Sequence, residues 1–231
     1  MRVIKGNRIA AIVVFALAFS ALAEEWRFEV AADTPRVVSC PVDASWAKRM
    51  ATQEVVAVAD DGSAVAVPWT LETSGLRPEL VWVADGRQRF ALRGRTEDAS
   101  LPETDLAAET VGDAIVVSNS FFSLQHPLNG KGGFPEKIRF VQSGAADDGL
   151  FFMDQFVRKN ASGGTDATPI RCNGSSSARL AFNSPLRAVV EVKAKVADIE
   201  AVYRYIYSAW SPLVRVDVLC CQGAGKACSE V

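Results

Sequence analysis

The chain has 231 residues, a formal net charge of -2, a single histidine, five tryptophans and 49% hydrophobic residues. That is enough apolar material to bury one large domain or two small ones, and it excludes a chain disordered throughout. Mild acidity argues against nucleic acid and anionic lipid as partners, because both select basic surfaces.

At the N-terminus, Arg2, Lys5 and Arg8 precede the apolar run Ile9–Ala18, and Ala21-Leu22-Ala23 supplies a small-x-small cleavage pattern. These three parts predict a secretory signal peptide over residues 1–23, with Glu24 opening the mature chain. The run is shorter than the roughly 20 apolar residues that a spanning helix needs. No longer run occurs later in the chain, so the mature protein is expected to be secreted or periplasmic with no stable membrane anchor. Cleavage leaves 208 residues with a formal charge of -5.

Strand patterns dominate the mature chain. Residues 26–30, 79–83 and 88–92 alternate apolar with polar, and 54–58 and 64–67 flank Asp60-Asp61-Gly62-Ser63, a hairpin turn that places Gly where φ is positive. A short helix is expected over Ala44–Met50, N-capped by Asp43. Residues 24–94 therefore read as a small antiparallel β module. Residues 95–110, polar, acidic and broken by Pro102, read as a linker.

Residues 111–219 read as an antiparallel β-sandwich. Ala114–Ser118 leads into Asn119–Leu124, and a Gly-rich turn over Asn129–Gly133 precedes Lys137–Val141. Residues 158–177 read as a long exposed loop. Three strands of clear period two come next. Val190, Val192, Ala194 and Val196 oppose Glu191, Lys193 and Lys195; Tyr203, Tyr205 and Tyr207 oppose Arg204 and Ile206; Val214, Val216 and Val218 oppose Arg215 and Asp217. Their short connections make a meander with one face packed and one wet. No long amphipathic helix appears, which excludes a doubly wound α/β enzyme and makes the fold class all-β. Residues 220–231 have no strand pattern and read as an irregular Cys-containing tail. The chain is accordingly expected to be the N-terminal part of a longer architecture, against the alternative of a natural short tail.

The five cysteines are Cys40, Cys172, Cys220, Cys221 and Cys228. An odd number in an exported chain leaves at least one without an intrachain partner, and a Cys40–Cys172 disulfide is one open pairing. With no CxxC and a single histidine there is no zinc pattern, and no metal or cofactor is expected.

The segments Ile115–Leu124 and Gly132–Phe140, followed by Ser184–Val192, Val202–Tyr207 and Ser211–Asp217, resemble the opening strands of galactose-mutarotase-like β-supersandwich domains. Such domains occur in exported polysaccharide lyases, including rhamnogalacturonan-lyase-like proteins, and in alpha-mannosidase-like hydrolases. The resemblance implies polysaccharide as a partner and, for any activity, a lyase or glycoside hydrolase. It also implies that this chain alone lacks a complete active site.

Several residues are candidates for chemistry. His126 has the side chain best suited to proton transfer near neutral pH, and Tyr205 has a phenol of the kind lyases use. Trp82, Tyr203, Tyr207 and Trp210 are candidate sugar-stacking platforms, against the alternative that they fill the cores. Asp60-Asp61 and Asp147-Asp148 precede glycines but lack the alternating ligands of a calcium loop. Asp154 and Arg158 form a candidate charged pair, and Asn160 and Asn173 head glycosylation-type triplets. The functional expectation is a polysaccharide-binding or scaffolding part of a carbohydrate-active protein. The alternative is a non-catalytic exported β-sandwich that binds or builds surface structure.

Overall fold

The computed structural model describes residues 27–32, 34–95, 101–131, 134–144, 146–147, 155–159, 162, 165–169, 175–196 and 199–221. The expected leader, Cys172, Cys228, Asp154, Asn160 and Asn173 lie outside them. Among the described residues there are nineteen strands and one helical turn, so the protein is all-β with sandwich-like packing. No helix among them is long and apolar enough to cross a membrane.

The first sandwich sets a four-stranded sheet, in the order β1 (Arg27–Ala31), β7 (Arg87–Gly94), β3 (Gln53–Val58), β4 (Ala64–Ala66), against a three-stranded sheet, β2 (Arg36–Pro41), β6 (Glu79–Ala84), β5 (Trp69–Glu72). Their alternating inner residues, including Cys40, Val55, Leu80, Trp82 and Phe90, form one core closed by Trp46 and Met50. The β3–β4 turn forms as its Asp-Gly chemistry requires: Gly62 takes φ +83° and Asp61 Oδ1 accepts the Ser63 N–H at 2.8 Å. The expected helix shortens to α1 (Trp46–Arg49), and its N-cap is Ser45 rather than Asp43. Asp43 stands two residues ahead of that cap, where its carboxylate accepts the Ser45 N–H at 2.8 Å in an Asx turn.

The second sandwich packs the sheet β13 (Ala146–Asp147), β12 (Lys137–Phe140), β10 (Phe122–Pro127), β9 (Ala114–Ser118), β8 (Ala107–Val111) against the sheet β11 (Asn129–Lys131), β16 (Ser175–Asn183), β17 (Arg187–Val196), β18 (Ile199–Ser208), β19 (Val214–Cys221). Its core joins Ile115, Val117, Phe122 and Leu124 from the first sheet to Ala188, Val190, Val192, Tyr203, Tyr205 and Tyr207 from the second.

Four further boundaries differ from the sequence expectation. β8 starts at Ala107, inside the stretch read as linker, and pairs with β9. Asn129–Lys131 is a short edge strand on β16 rather than a turn, with Gly130 packed so closely that a Cβ there would lie 2.6 Å from Pro127 Cγ. The described residues within 158–177 are largely strand: β14 (Gln155–Lys159) and β15 (Thr165–Pro169) form a hairpin, with Arg158 opposite Asp166. Polar alternation over so short a run resembles loop composition, and the pairing is what makes it a ribbon. β19 runs through Cys220 and Cys221, opposite Ala201 and Glu200, so the strand continues two residues into the expected tail.

The strands β17, β18 and β19 form the expected antiparallel meander, with Val190 opposite Tyr205 and Tyr205 opposite Val216. The face expected to be wet is so at Lys193 and Lys195, which are exposed, but is covered elsewhere, where Arg187, Val189, Glu191, Arg204 and Ile206 are all buried. Side chains from β5 and β6 of the first sandwich reach the covered part of this face, so the sheet is packed on both sides around Arg187 and Arg204.

Candidate functional site

The chemically richest place in the molecule is this second interface. Glu72 ends β5 and Glu79 begins β6, and the two are direct cross-strand partners. Both point away from the core of the first sandwich, because their strand neighbours Leu71 and Leu80 point into it. Two carboxylates directly opposite repel one another unless cations intervene. Three arginines do so, one from each strand of the meander. Arg187 Nη1 donates to Glu79 Oε2 at 2.6 Å, Arg215 Nη2 to Glu79 Oε1 at 2.5 Å, and Arg204 Nη2 to Glu72 Oε1 at 3.0 Å. Ser39 donates to Glu79, and both the N–H and the hydroxyl of Ser74 donate to Glu72. Asp217, opposite Arg204 on the neighbouring strand, pairs with Arg215 at 3.2 Å.

Burial alone would raise the Glu79 pKa, but the hydrogen bonds from Arg215 and Arg187 outweigh it and hold the carboxyl down at about 2. Arg187 is pulled below its ordinary value by burial, against the opposing pull of Glu79. Glu79 therefore stays ionised and is no general acid. The cluster is a polar latch between two sandwiches. Gly75 lines it, since a Cβ there would sit 2.5 Å from Arg204 Nη1, so the guanidinium uses the space that glycine leaves. Among the described residues, Glu72 Oε2, Arg187 Nε and Arg204 Nε are buried without a hydrogen-bond partner.

The sequence candidates sit elsewhere. His126 is fully buried on β10, with Nε2 hydrogen-bonded to the Tyr207 hydroxyl at 2.5 Å and its ring centroid 4.6 Å from that of Tyr205. Burial lowers the imidazole pKa to about 3 and raises that of Tyr207 well above its ordinary 10. Both are neutral across the physiological range, so His126 is no base poised near pH 7. Tyr203 and Tyr205 line the same core. Trp82 is buried in the other core, edge-on to Phe28 and Phe90 at 5.9 and 5.6 Å. In this arrangement none of Trp82, Tyr203, Tyr205 and Tyr207 offers a ring face to a polysaccharide.

Trp210 differs. It is half-buried in the β18–β19 connection with φ 56°, a left-handed conformation that a bulky residue rarely adopts. Its backbone N–H donates to Asp105 Oδ1 at 2.8 Å, and Asp105 Oδ2 accepts the Ser120 N–H and hydroxyl. Asn119 ties the same end together, donating from Nδ2 to the Ser211 carbonyl and accepting from the N–H groups of Phe121 and Phe122.

Asp60 accepts from Arg89 at 2.6 Å, so that acidic pair is occupied by turn and cross-strand contacts. Among the described residues no three His, Cys, Asp or Glu side chains are grouped as metal ligands. Cys40 is buried on β2. In comparisons with known proteins, no family model and no curated protein matches the sequence.

Sequence reasoning missed the latch. Its signal was present: one arginine on each of three successive strands, on a face that also carries Val189 and Ile206. Apolar residues among charges on a supposedly wet face indicate that the face is covered.

Proposed function

We propose that this protein is a non-catalytic β scaffold of an exported, polysaccharide-handling system, with Trp210 as its glycan contact. The observation that carries the reading is the grip of Arg187, Arg204 and Arg215 on Glu72 and Glu79. It spends the strongest charged groups on holding two sandwiches in one arrangement, as a scaffold requires and as an acid–base site does not. The resemblance of residues 110–219 to galactose-mutarotase-like supersandwich strands supports polysaccharide as the partner, and the leader-like residues 1–23 support export. Among the aromatic candidates, Trp210 combines partial exposure with a backbone conformation fixed by Asp105.

The test is retention on immobilised pectin, glycosaminoglycan and neutral glycans, with the eluted polymer assayed for new chain ends. Retention without cleavage, lost in Trp210→Ala, is the expected result. New ends would make the protein an enzyme. No retention on any polymer would leave a purely structural surface module.

A further inference from the structure

Strand β19 is the edge of its sheet, with β18 as its only partner among the described residues. Val216 and Val218 stand opposite Tyr205 and Tyr203, on the side that faces the sandwich core, yet they are 43% and 52% exposed. An edge strand with exposed inward valines is a template for another strand. The strand has a second property: Leu213-Val214-Arg215-Val216-Asp217-Val218-Leu219 is symmetric about Val216, except that Arg and Asp exchange places.

An antiparallel strand added to this edge by a second copy must keep valines facing valines, so residues of equal parity must oppose. Centring the two-fold on residue 215 would set Arg215 against the partner's Arg215, and centring it on 217 would set Asp217 against the partner's Asp217. Both place like charges directly opposite. Centring it on Val216 sets Arg215 against the partner's Asp217 and Asp217 against the partner's Arg215. Val214 then opposes the partner's Val218, and Leu213 opposes the partner's Leu219. This register is self-complementary in charge and in apolar character, as an isologous two-fold contact must be. Arg215 already pairs with Glu79 and with Asp217 of its own chain, but Arg215 and Asp217 are partly exposed, at 44% and 37% of their side chains, which leaves surface for a further partner across the edge.

We propose that two copies of this chain associate through antiparallel pairing of β19 about Val216, joining two five-stranded sheets into one of ten strands. The inference does not depend on glycan binding or on the scaffold role.

Sedimentation velocity of the purified protein tests it, from about 1 to about 300 µM, a range suited to an interface at the small end of specific contacts. The expected result is a reversible dimer. Val216→Lys and Val216→Glu each place like charges side by side on the axis and are expected to weaken the dimer roughly fivefold or more. An equimolar mixture of the two variants is expected to dimerise again, since Lys then faces Glu. The position is exposed, so both variants should fold, and circular dichroism checks that they do. A wild-type monomer over the whole range overturns the proposal. So does a dimer indifferent to both substitutions, or a mixture of folded variants that fails to re-associate.

Discussion

The sheet β17–β18–β19 carries two faces made by the same strands and held by opposite physics. Its inner face sets Val190, Val192, Tyr203, Tyr205 and Tyr207 against the other sheet of the second sandwich. Its outer face sets Arg187, Arg204 and Arg215 against Glu72 and Glu79 of the first sandwich. Apolar burial is non-directional and tolerates exchange of shape for shape at nearly constant volume. A buried ion-pair cluster gains little on balance over an apolar replacement, but loses heavily when one member is removed. The inner face should therefore degrade gradually under substitution, and the outer face abruptly.

The largest effect tests that abruptness. Arg204→Met strands Glu72, whose side chain is 0% exposed, and should cost about 3–5 kcal/mol in urea denaturation. Adding Glu72→Met should recover most of the loss, because no buried charge then remains. A double variant as unstable as the single one would mean that the latch contributes net stability as a pair. Gly75→Ala acts on the same contact by pushing a methyl into the Arg204 guanidinium. It should fall between the two.

Acid separates the faces by pH window. His126 in the inner core has a folded pKa of about 3 against an ordinary 6.5, so the unfolded chain binds the extra proton between those values. Its contribution is complete above pH 6.5 and is lost as pH falls toward 3, a decline of roughly 4–5 kcal/mol. Glu79 in the latch has a folded pKa of about 2 against 4.5, so its contribution is complete above pH 4.5 and is lost below it. Between pH 6.5 and 4.5 the inner core alone should weaken. Stability measured against pH in wild type and in His126→Phe/Tyr207→Phe checks this: the double variant should be flat in that interval and fall only below it.

The difference between the faces also explains what was legible in the sequence. Strict alternation over residues 187–218 makes the inner face readable, because a period of two on three adjacent strands sorts valine and tyrosine to one side. It equally makes the outer face look solvated, since Glu191, Lys193 and Arg204 are ordinary surface residues in a strand. What covers that face lies more than a hundred residues earlier, in Glu72 and Glu79, and no local pattern reports so distant a pairing. The aromatic candidates fail as platforms for the same reason that the fold was legible: Trp82 and the tyrosines supply core volume. Trp210 departs from this rule because its place depends on a turn conformation and on Asp105, neither visible in periodicity.

A smaller effect lies within the inner face. Tyr207→Phe removes the hydroxyl that meets His126 Nε2 and leaves the imidazole without that partner. A cost of about 1–3 kcal/mol is expected for stranding a buried polar group. His126→Phe/Tyr207→Phe should recover part of it, as two apolar rings replace a polar pair. A double variant that loses the sum of the single losses would show that the two side chains are uncoupled and that the contact does not set the cost.

The smallest effect isolates burial from contact geometry. Arg89 and Asp60 approach at 2.6 Å, as close as Arg187 and Glu79 in the latch, but their side chains are 52% and 103% exposed, against 4% and 13%. In water the attraction is screened, and ordering two long side chains offsets what remains. Asp60→Asn should leave the urea midpoint within error of wild type at ordinary salt, whereas Glu79→Gln should lower it clearly. The two substitutions remove the same carboxylate charge at the same distance from an arginine. If they shift the midpoint equally, solvent exclusion is not what makes the latch strong, and the contrast between the two faces of the sheet fails with it.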